Sequence, residues 1–153
     1  MTRIDDRGPP LELDSDALGR LASALDVEGV VAAFVFGSLA TGGGTPLSDV
    51  DVGIWLDPDL PSGQRLETHL RLMADAAAAL RTDEVDVVVL NDSPPLLQHR
   101  AMRARLPLVE RQPKARVRLE AGAQLRYLDT KPLREEIARG VRQRLAEGRF
   151  GRP

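Results

Sequence analysis

The sequence predicts an α/β (α+β) domain, in which a small mixed sheet is flanked by helices and followed by a C-terminal helical segment. Valine-rich apolar runs alternate with segments of helical periodicity along most of the chain. A chain of 153 residues, 42% of them hydrophobic, is most simply one domain with one core. No apolar run is long enough to span a bilayer, so we expect no membrane association. The absence of cysteine fits a cytoplasmic protein.

The predicted elements follow from local signals. Asp14 and neighbouring polar residues cap a first helix that ends near Leu25. Pro132 interrupts the last helical segment, and we expect it to kink or split that helix. An apolar stripe is predicted to be the buried face of the second helix: Leu66, Leu70, Met73, Ala77 and Leu80. The predicted strands are 30–36, 49–56, 84–90 and a short one at 107–109. The later predicted helices are 63–81, a helix that is capped by the Ser93-Pro94 pair and runs to about 105, and 114–147.

Domain boundaries and charge divide the chain differently. We expect residues 1–10 to be a flexible arm, 11–110 the main domain and 111–153 a helical extension of that domain.

Residues 1–98 carry a net charge of −11 and residues 99–153 a net charge of +9. A basic half can attract phosphates, nucleic acid or an acidic protein, or it can form a solvated helical face. Charge alone does not decide between these interpretations.

A motif of glycine, serine and two aspartates stands between the first two predicted strands. Gly37 and Ser38 follow strand 30–36 directly, and ten residues separate Ser38 from Asp49. Gly37 would let a phosphate approach the backbone, and Ser38 would donate its hydroxyl and N–H from the start of a short helix. Asp49 and Asp51 point to one face of the next strand, with Cα atoms roughly 6.6 Å apart. This pattern predicts phosphate binding beside one or two Mg²⁺ ions.

Asp86 is a third candidate, because it interrupts the valines of what looks like an interior strand. Burying a lone carboxylate there would be costly unless it is paired or binds a metal ion. If this strand lies beside strand 49–56, Asp86 joins Asp49 and Asp51 at one end of the sheet. Glu84 shares its face by alternation and is the alternative if the register differs. A salt bridge between Asp86 and an arginine is the structural alternative.

The stretches Phe36-Gly37-Ser38 and Ser48-Asp49-Val50-Asp51 resemble the signature of the DNA polymerase β-type nucleotidyltransferase superfamily. The likeness extends through residues 85–90, 95–100, 127–132 and 147–151, and there the chain resembles the minimal nucleotidyltransferase (MNT) proteins of HEPN/MNT toxin–antitoxin systems. The resemblance implies the polymerase β-like fold, with Asp49, Asp51 and Asp86 as catalytic and Mg²⁺-binding residues, and Gly37 and Ser38 as nucleotide-binding residues. Two Mg²⁺ ions and the substrate ATP are implied with them.

For function, the resemblance implies an antitoxin that moves AMP from ATP onto a tyrosine hydroxyl of its cognate HEPN toxin ribonuclease, in a hetero-oligomer with it. Two other functions stay open: an antitoxin that neutralises its partner by binding alone, and an adenylyltransferase of a small molecule such as an aminoglycoside. We expect no direct nucleic-acid binding, because no basic motif is interleaved with aromatic residues. Unlike many relatives, the chain has no Lys or Arg in loop 39–46. Arg100 or Arg103 is the candidate substitute.

Overall fold

The computed structural model of the protein describes residues 12–43 and 48–149. The predicted arm, part of the loop after Ser38, and Phe150 and Gly151 of the tail lie outside these residues. The helices are Ser15–Leu25 (α1), Ser62–Leu80 (α2), Pro95–Arg103 (α3) and Pro113–Ala146 (α4). The strands are Val30–Phe36 (β1), Val50–Leu56 (β2), Val85–Val89 (β3) and Arg105–Glu110 (β4), and a 3-10 turn at Leu90–Asp92 follows β3.

The four strands form one mixed sheet in the order β3-β2-β1-β4. β1 pairs antiparallel with both β2 and β4, while β2 and β3 are parallel. The parallel pair needs a crossover connection, and α2 supplies it. The sequence therefore predicted the mixed sheet and its flanking helices correctly.

Helices cover both faces of the sheet. α1 and α2 pack on one face against side chains such as Val35 and Val52, and α3 with the first half of α4 packs on the other against Phe34 and Phe36. Every residue of β1 is buried. A central strand covered on both sides needs apolar residues at every position, which explains its unbroken apolar run.

The N-terminus of α1 follows the prediction, whereas the buried face of α2 does not. The Asp14 carboxylate accepts a hydrogen bond from the Ala17 N–H at 2.7 Å, which caps α1. In α2 the buried residues are Leu72, Ala76 and Leu80, and most of the predicted stripe is solvent-exposed: Leu66, Leu70 and Met73. The run of alanines at 76–79 gives little contrast between faces. Tertiary packing against α1 and β3 therefore decides which side of α2 is buried.

The start of α3 is also built differently from the prediction. Its N-cap is Pro94, with Pro95 in the first turn and no side-chain cap. The Ser93 hydroxyl instead donates a hydrogen bond to the Val89 carbonyl at 2.8 Å, at the edge of the sheet. α3 ends at Arg103 because β4 begins two residues later, at Arg105.

α4 runs for 34 residues, about 51 Å at 1.5 Å per residue, and continues through Pro132. The proline therefore does not split the helix. Side chains bond to carbonyls in the preceding turns: the Thr130 hydroxyl donates to the Arg126 carbonyl and the Arg134 guanidinium to the Tyr127 carbonyl, both at 2.9 Å. Within the described part of α4 the only buried residue is Ala123. None of the helices among residues 12–43 and 48–149 is long and apolar enough to cross a membrane.

Candidate functional site

The predicted site residues meet at the end of the sheet where β1 finishes and β2 and β3 begin. Phe36, the last residue of β1, pairs with Asp51 of β2, and Asp51 pairs with Asp86 of β3. Residues directly paired across strands have side chains on the same face. β3 thus lies beside β2, which was the condition for Asp86 to join the other two carboxylates, and the register sets Asp86 rather than Glu84 opposite Asp51.

The surroundings of Asp86 differ from the prediction. β3 is an edge strand of the sheet, and Asp86 is exposed. Among its valines only Val87 is fully buried. The interpretation of an interior strand was wrong because a valine run looks the same in an edge strand that has helix packing on one face. The cost of burying a lone carboxylate therefore does not apply to Asp86. No ion pair between Asp86 and an arginine is present among the described residues.

Asp51 is the most perturbed carboxylate of the group. It is half-buried, whereas Asp86 and Asp49, which lies just before β2, are exposed. Burial raises the pKa of Asp51 above its ordinary value of 3.8, and the charges of Asp86 and Asp49 raise it further. Asp51 is therefore close enough to each of the other two carboxylates to be repelled by it. A cation at this end of the sheet would relieve both the repulsion and the desolvation.

Gly37 contacts the carboxylate of Asp51. A Cβ atom at position 37 would lie 2.5 Å from Asp51 Oδ2, closer than side chains tolerate, and the backbone there has φ +78°. Glycine therefore allows the turn after β1 and leaves room for the Asp51 carboxylate. The sequence indicated a glycine that opens space for a phosphate. It carried no signal of this contact with Asp51, which only the β1–β2 register reveals.

Ser38 begins a tight turn and not the short helix that was predicted. Its carbonyl accepts hydrogen bonds from the Thr41 N–H at 3.3 Å, the Gly43 N–H at 3.0 Å and the Thr41 hydroxyl at 3.1 Å. The glycines at 42 and 43 favour a compact turn over a continuing helix. The Ser38 side chain is exposed. Its hydroxyl could donate to a ligand, but without a helix the dipole argument for anion binding does not hold.

The donor set at this end of the sheet fits a magnesium ion in its chemistry. Mg²⁺ prefers carboxylate oxygens and usually binds one or two of them together with substrate phosphates and water. Within 12–43 and 48–149, no group of three or more His, Cys, Asp or Glu side chains is arranged to hold a metal ion. The side chains that would hold Mg²⁺ are those of Asp49 and Asp51, with Asp86 beside them, and the nucleotide phosphates would complete the coordination.

A mixed sheet of this order, with acidic residues at the start of its parallel pair and a Gly-Ser turn beside them, is the arrangement of a nucleotidyltransferase domain. The sequence model of the family described as Polymerase beta, Nucleotidyltransferase matches residues 21–114, well over half of the chain. The chain therefore belongs to the polymerase β nucleotidyltransferase family and is a nucleotidyltransferase. A comparison with curated proteins gives no match.

Solved structures of the same fold include toxin–antitoxin complexes. A chain from the crystal structure of a toxin–antitoxin with AMP-PNP is 21% identical, with a TM-score of 0.63 over 81% of this chain and 97% of that one. A chain from tri-AMPylated Shewanella oneidensis HEPN toxin in complex with MNT antitoxin is 20% identical, with a TM-score of 0.58 over 82% and 95%. A chain from the toxin–antitoxin MntA-HepT is also 20% identical, with a TM-score of 0.58 over 82% and 96%. At these identities the likeness shows the shared fold, as the resemblance to MNT proteins predicted.

Proposed function

We propose that the protein is a Mg²⁺-dependent adenylyltransferase antitoxin. In this proposal it transfers AMP from ATP to a tyrosine hydroxyl of a cognate HEPN toxin ribonuclease and releases pyrophosphate. The observation that supports it most is the cross-strand pair of Asp51 and Asp86, with Asp49 close by, next to the Gly37–Ser38 turn in a nucleotidyltransferase domain.

Each residue has a role in the proposed reaction. The acceptor oxygen attacks the α-phosphorus of ATP, the bond from that phosphorus to the bridging oxygen breaks, and pyrophosphate leaves. Asp49 and Asp51 would hold Mg²⁺, which when bound offsets triphosphate charge and favours the deprotonated acceptor hydroxyl. Asp86 is exposed, so it is accessible to an incoming hydroxyl and could accept its proton. The Ser38 hydroxyl would donate to a phosphate oxygen, and Gly37 keeps space for the Asp51 carboxylate. Positioning and charge neutralisation supply most of the rate in such reactions.

A protein acceptor is supported by the apolar side chains that α4 exposes. Large apolar side chains are exposed there, and the described contacts of α4 within the chain are mainly with α3 and β1. These side chains are Leu125, Leu128, Leu133, Ile137 and Leu145. Leu133 and Ile137 are four residues apart and so lie on one face of the helix, and adjacent exposed apolar side chains suit a surface that binds another protein. One structural neighbour is an MNT antitoxin in complex with a HEPN toxin, and another is from the toxin–antitoxin MntA-HepT, which makes a HEPN toxin the partner we propose.

Intact-mass spectrometry tests the proposal. The protein encoded by the neighbouring open reading frame is incubated with this chain, Mg²⁺ and each nucleoside triphosphate in turn. We expect the partner to gain the mass of AMP with ATP only, and the Asp49→Ala/Asp51→Ala variant to produce no gain. A stable complex without any mass gain would contradict enzymatic transfer to this partner. It would favour an antitoxin that acts by binding alone or an enzyme that modifies a small molecule.

A further inference from the structure

The pairing of β1 with β4 brings the end of α3 next to the Gly37–Ser38 turn. Val35 pairs with Leu106 and Phe36 with Arg105 in an antiparallel register. Arg103 lies two residues before Arg105 and Ser38 two residues after Phe36, so both flank the same end of the β1–β4 pair. Arg103 is the last residue of α3, and Arg100 lies in the same last turn. The sheet thus places the C-terminal turn of α3 at the same end as the proposed phosphate-binding turn.

Arg100 and Arg103 are available for a ligand, whereas Arg105 is not. Both side chains are exposed, and neither has a hydrogen bond, ion pair or ring contact with another described residue. Arg105 donates two hydrogen bonds to Glu120 and lies over the ring of Phe34, 4.8 Å from its centroid. Arg105 is therefore held by contacts within the fold, whereas Arg100 and Arg103 are not.

A nucleoside triphosphate would add negative charge at this end of the sheet. Three carboxylates stand there, and the described loop residues after Ser38, 39–43, include no Lys or Arg. Mg²⁺ offsets part of the triphosphate charge, but the outer phosphates of nucleotides are typically bound by arginine or lysine as well. Arginine suits this role, because its planar group can donate two hydrogen bonds to one phosphate.

We infer that Arg103, assisted by Arg100, binds the β- and γ-phosphates of the nucleotide and so holds the pyrophosphate leaving group. This inference rests on the proposed function for the identity of the nucleotide. It assigns to α3 the positive charge that many relatives carry in the loop after Gly-Ser. It also predicts selectivity for triphosphate over monophosphate, because only the outer phosphates reach the arginines.

A purely structural role for these residues makes a different prediction. Cations in the last turn of a helix interact favourably with its dipole. If that were the whole role of Arg103, its removal would lower the unfolding temperature slightly and leave nucleotide binding unchanged. The two roles therefore differ in the ratio of ATP affinity to AMP affinity.

Isothermal titration calorimetry with ATP and with AMP, both in Mg²⁺ buffer, measures that ratio. For Arg103→Ala we expect ATP affinity to fall about 10- to 100-fold, as for a lost hydrogen bond between charged groups, and AMP affinity to stay within about twofold. Arg103→Lys should recover part of the loss. Arg118→Ala is the matched control, because Arg118 is exposed on α4 and has no such contact among the described residues. It should bind both nucleotides as the unsubstituted protein does.

Three results would overturn the inference: equal ATP affinity in Arg103→Ala and Arg118→Ala, equal losses for ATP and AMP, or no ATP binding by the unsubstituted protein. Thermal unfolding of each variant shows whether it is folded under the titration conditions. The transfer assay on the partner is separate. An ATP-selective loss in Arg103→Ala without AMP transfer to the partner would overturn the proposed function and support the arginine assignment.

Discussion

The contact between Gly37 and the Asp51 carboxylate can be tested with a single methyl group. In Gly37→Ala the new Cβ would lie 2.5 Å from Asp51 Oδ2, whereas ordinary van der Waals contacts begin at 3.4 Å. The carboxylate must therefore move by about 1 Å, or the turn must open. The backbone at position 37 also has φ +78°, which is unfavourable for alanine.

These two effects have different sizes and different readouts. The backbone conformation should cost about 1–2 kcal/mol of unfolding free energy. Displacing a proposed metal-binding carboxylate by about 1 Å should lower the rate of nucleotidyl transfer on the order of 100-fold. Gly42→Ala separates the effects, because Gly42 has φ +75° and a Cβ added there would have no neighbouring atom within 4 Å. It should lose similar stability and keep most of the activity.

Urea unfolding followed by circular dichroism gives the stability of both variants. The initial rate of AMP transfer to the partner, measured by mass spectrometry, gives their activity. We expect similar losses of stability but a much larger loss of activity in Gly37→Ala. Equal activity of the two variants would refute the reasoning, because it would show that the position of the Asp51 carboxylate does not depend on Gly37.

Three further predictions concern charge and exposed surface. Burial and two neighbouring carboxylates raise the pKa of Asp51, so the folded protein holds that proton more tightly, and stability should fall as pH rises from 3.8 through the raised pKa. Asp51→Asn should remove this fall and raise the melting temperature at pH 7 in metal-free buffer. An unchanged dependence of stability on pH would contradict the raised pKa of Asp51. Glu120→Ala removes the carboxylate that Arg105 and Arg116 share and should cost about 1–3 kcal/mol in urea unfolding, whereas no loss would show that these two ion pairs contribute nothing. Leu133→Arg with Ile137→Arg should change stability by less than about 0.5 kcal/mol but weaken the complex in size-exclusion chromatography, and an unchanged complex would exclude this face of α4.

Much of the fold could be predicted because several local signals agree. β1 is central and buried on both faces, so its sequence is apolar at every position and its bounds matched the prediction. The start of α1 could be predicted because Asp14 is a strong N-cap residue and does cap the helix. The sequence named Asp86 as the partner of Asp49 and Asp51 on the condition that its strand lies beside β2, and the structure meets that condition.

The features that sequence reasoning missed depend on tertiary contacts. The prediction of which side of α2 is buried was wrong because its alanines fit either face. Contact with α1 determines which side is buried. The prediction that Asp86 lies in an interior strand was wrong because edge and interior strands share the same residue types. The prediction of a short helix at Ser38 was wrong because hydrogen bonds to the Ser38 carbonyl form a tight turn instead. The Gly37–Asp51 contact links residues 14 positions apart and becomes visible only with the strand register.

A crystal structure with Mn²⁺ and a non-hydrolysable ATP analogue would test the central claim most directly, because Mn²⁺ can be located by its anomalous signal. We predict a metal ion bound by the carboxylates of Asp49 and Asp51 and coordinated by the phosphates of the nucleotide. The nucleotide should lie against Gly37 and Ser38. A nucleotide bound elsewhere, or bound here without a metal ion on these carboxylates, would contradict the account.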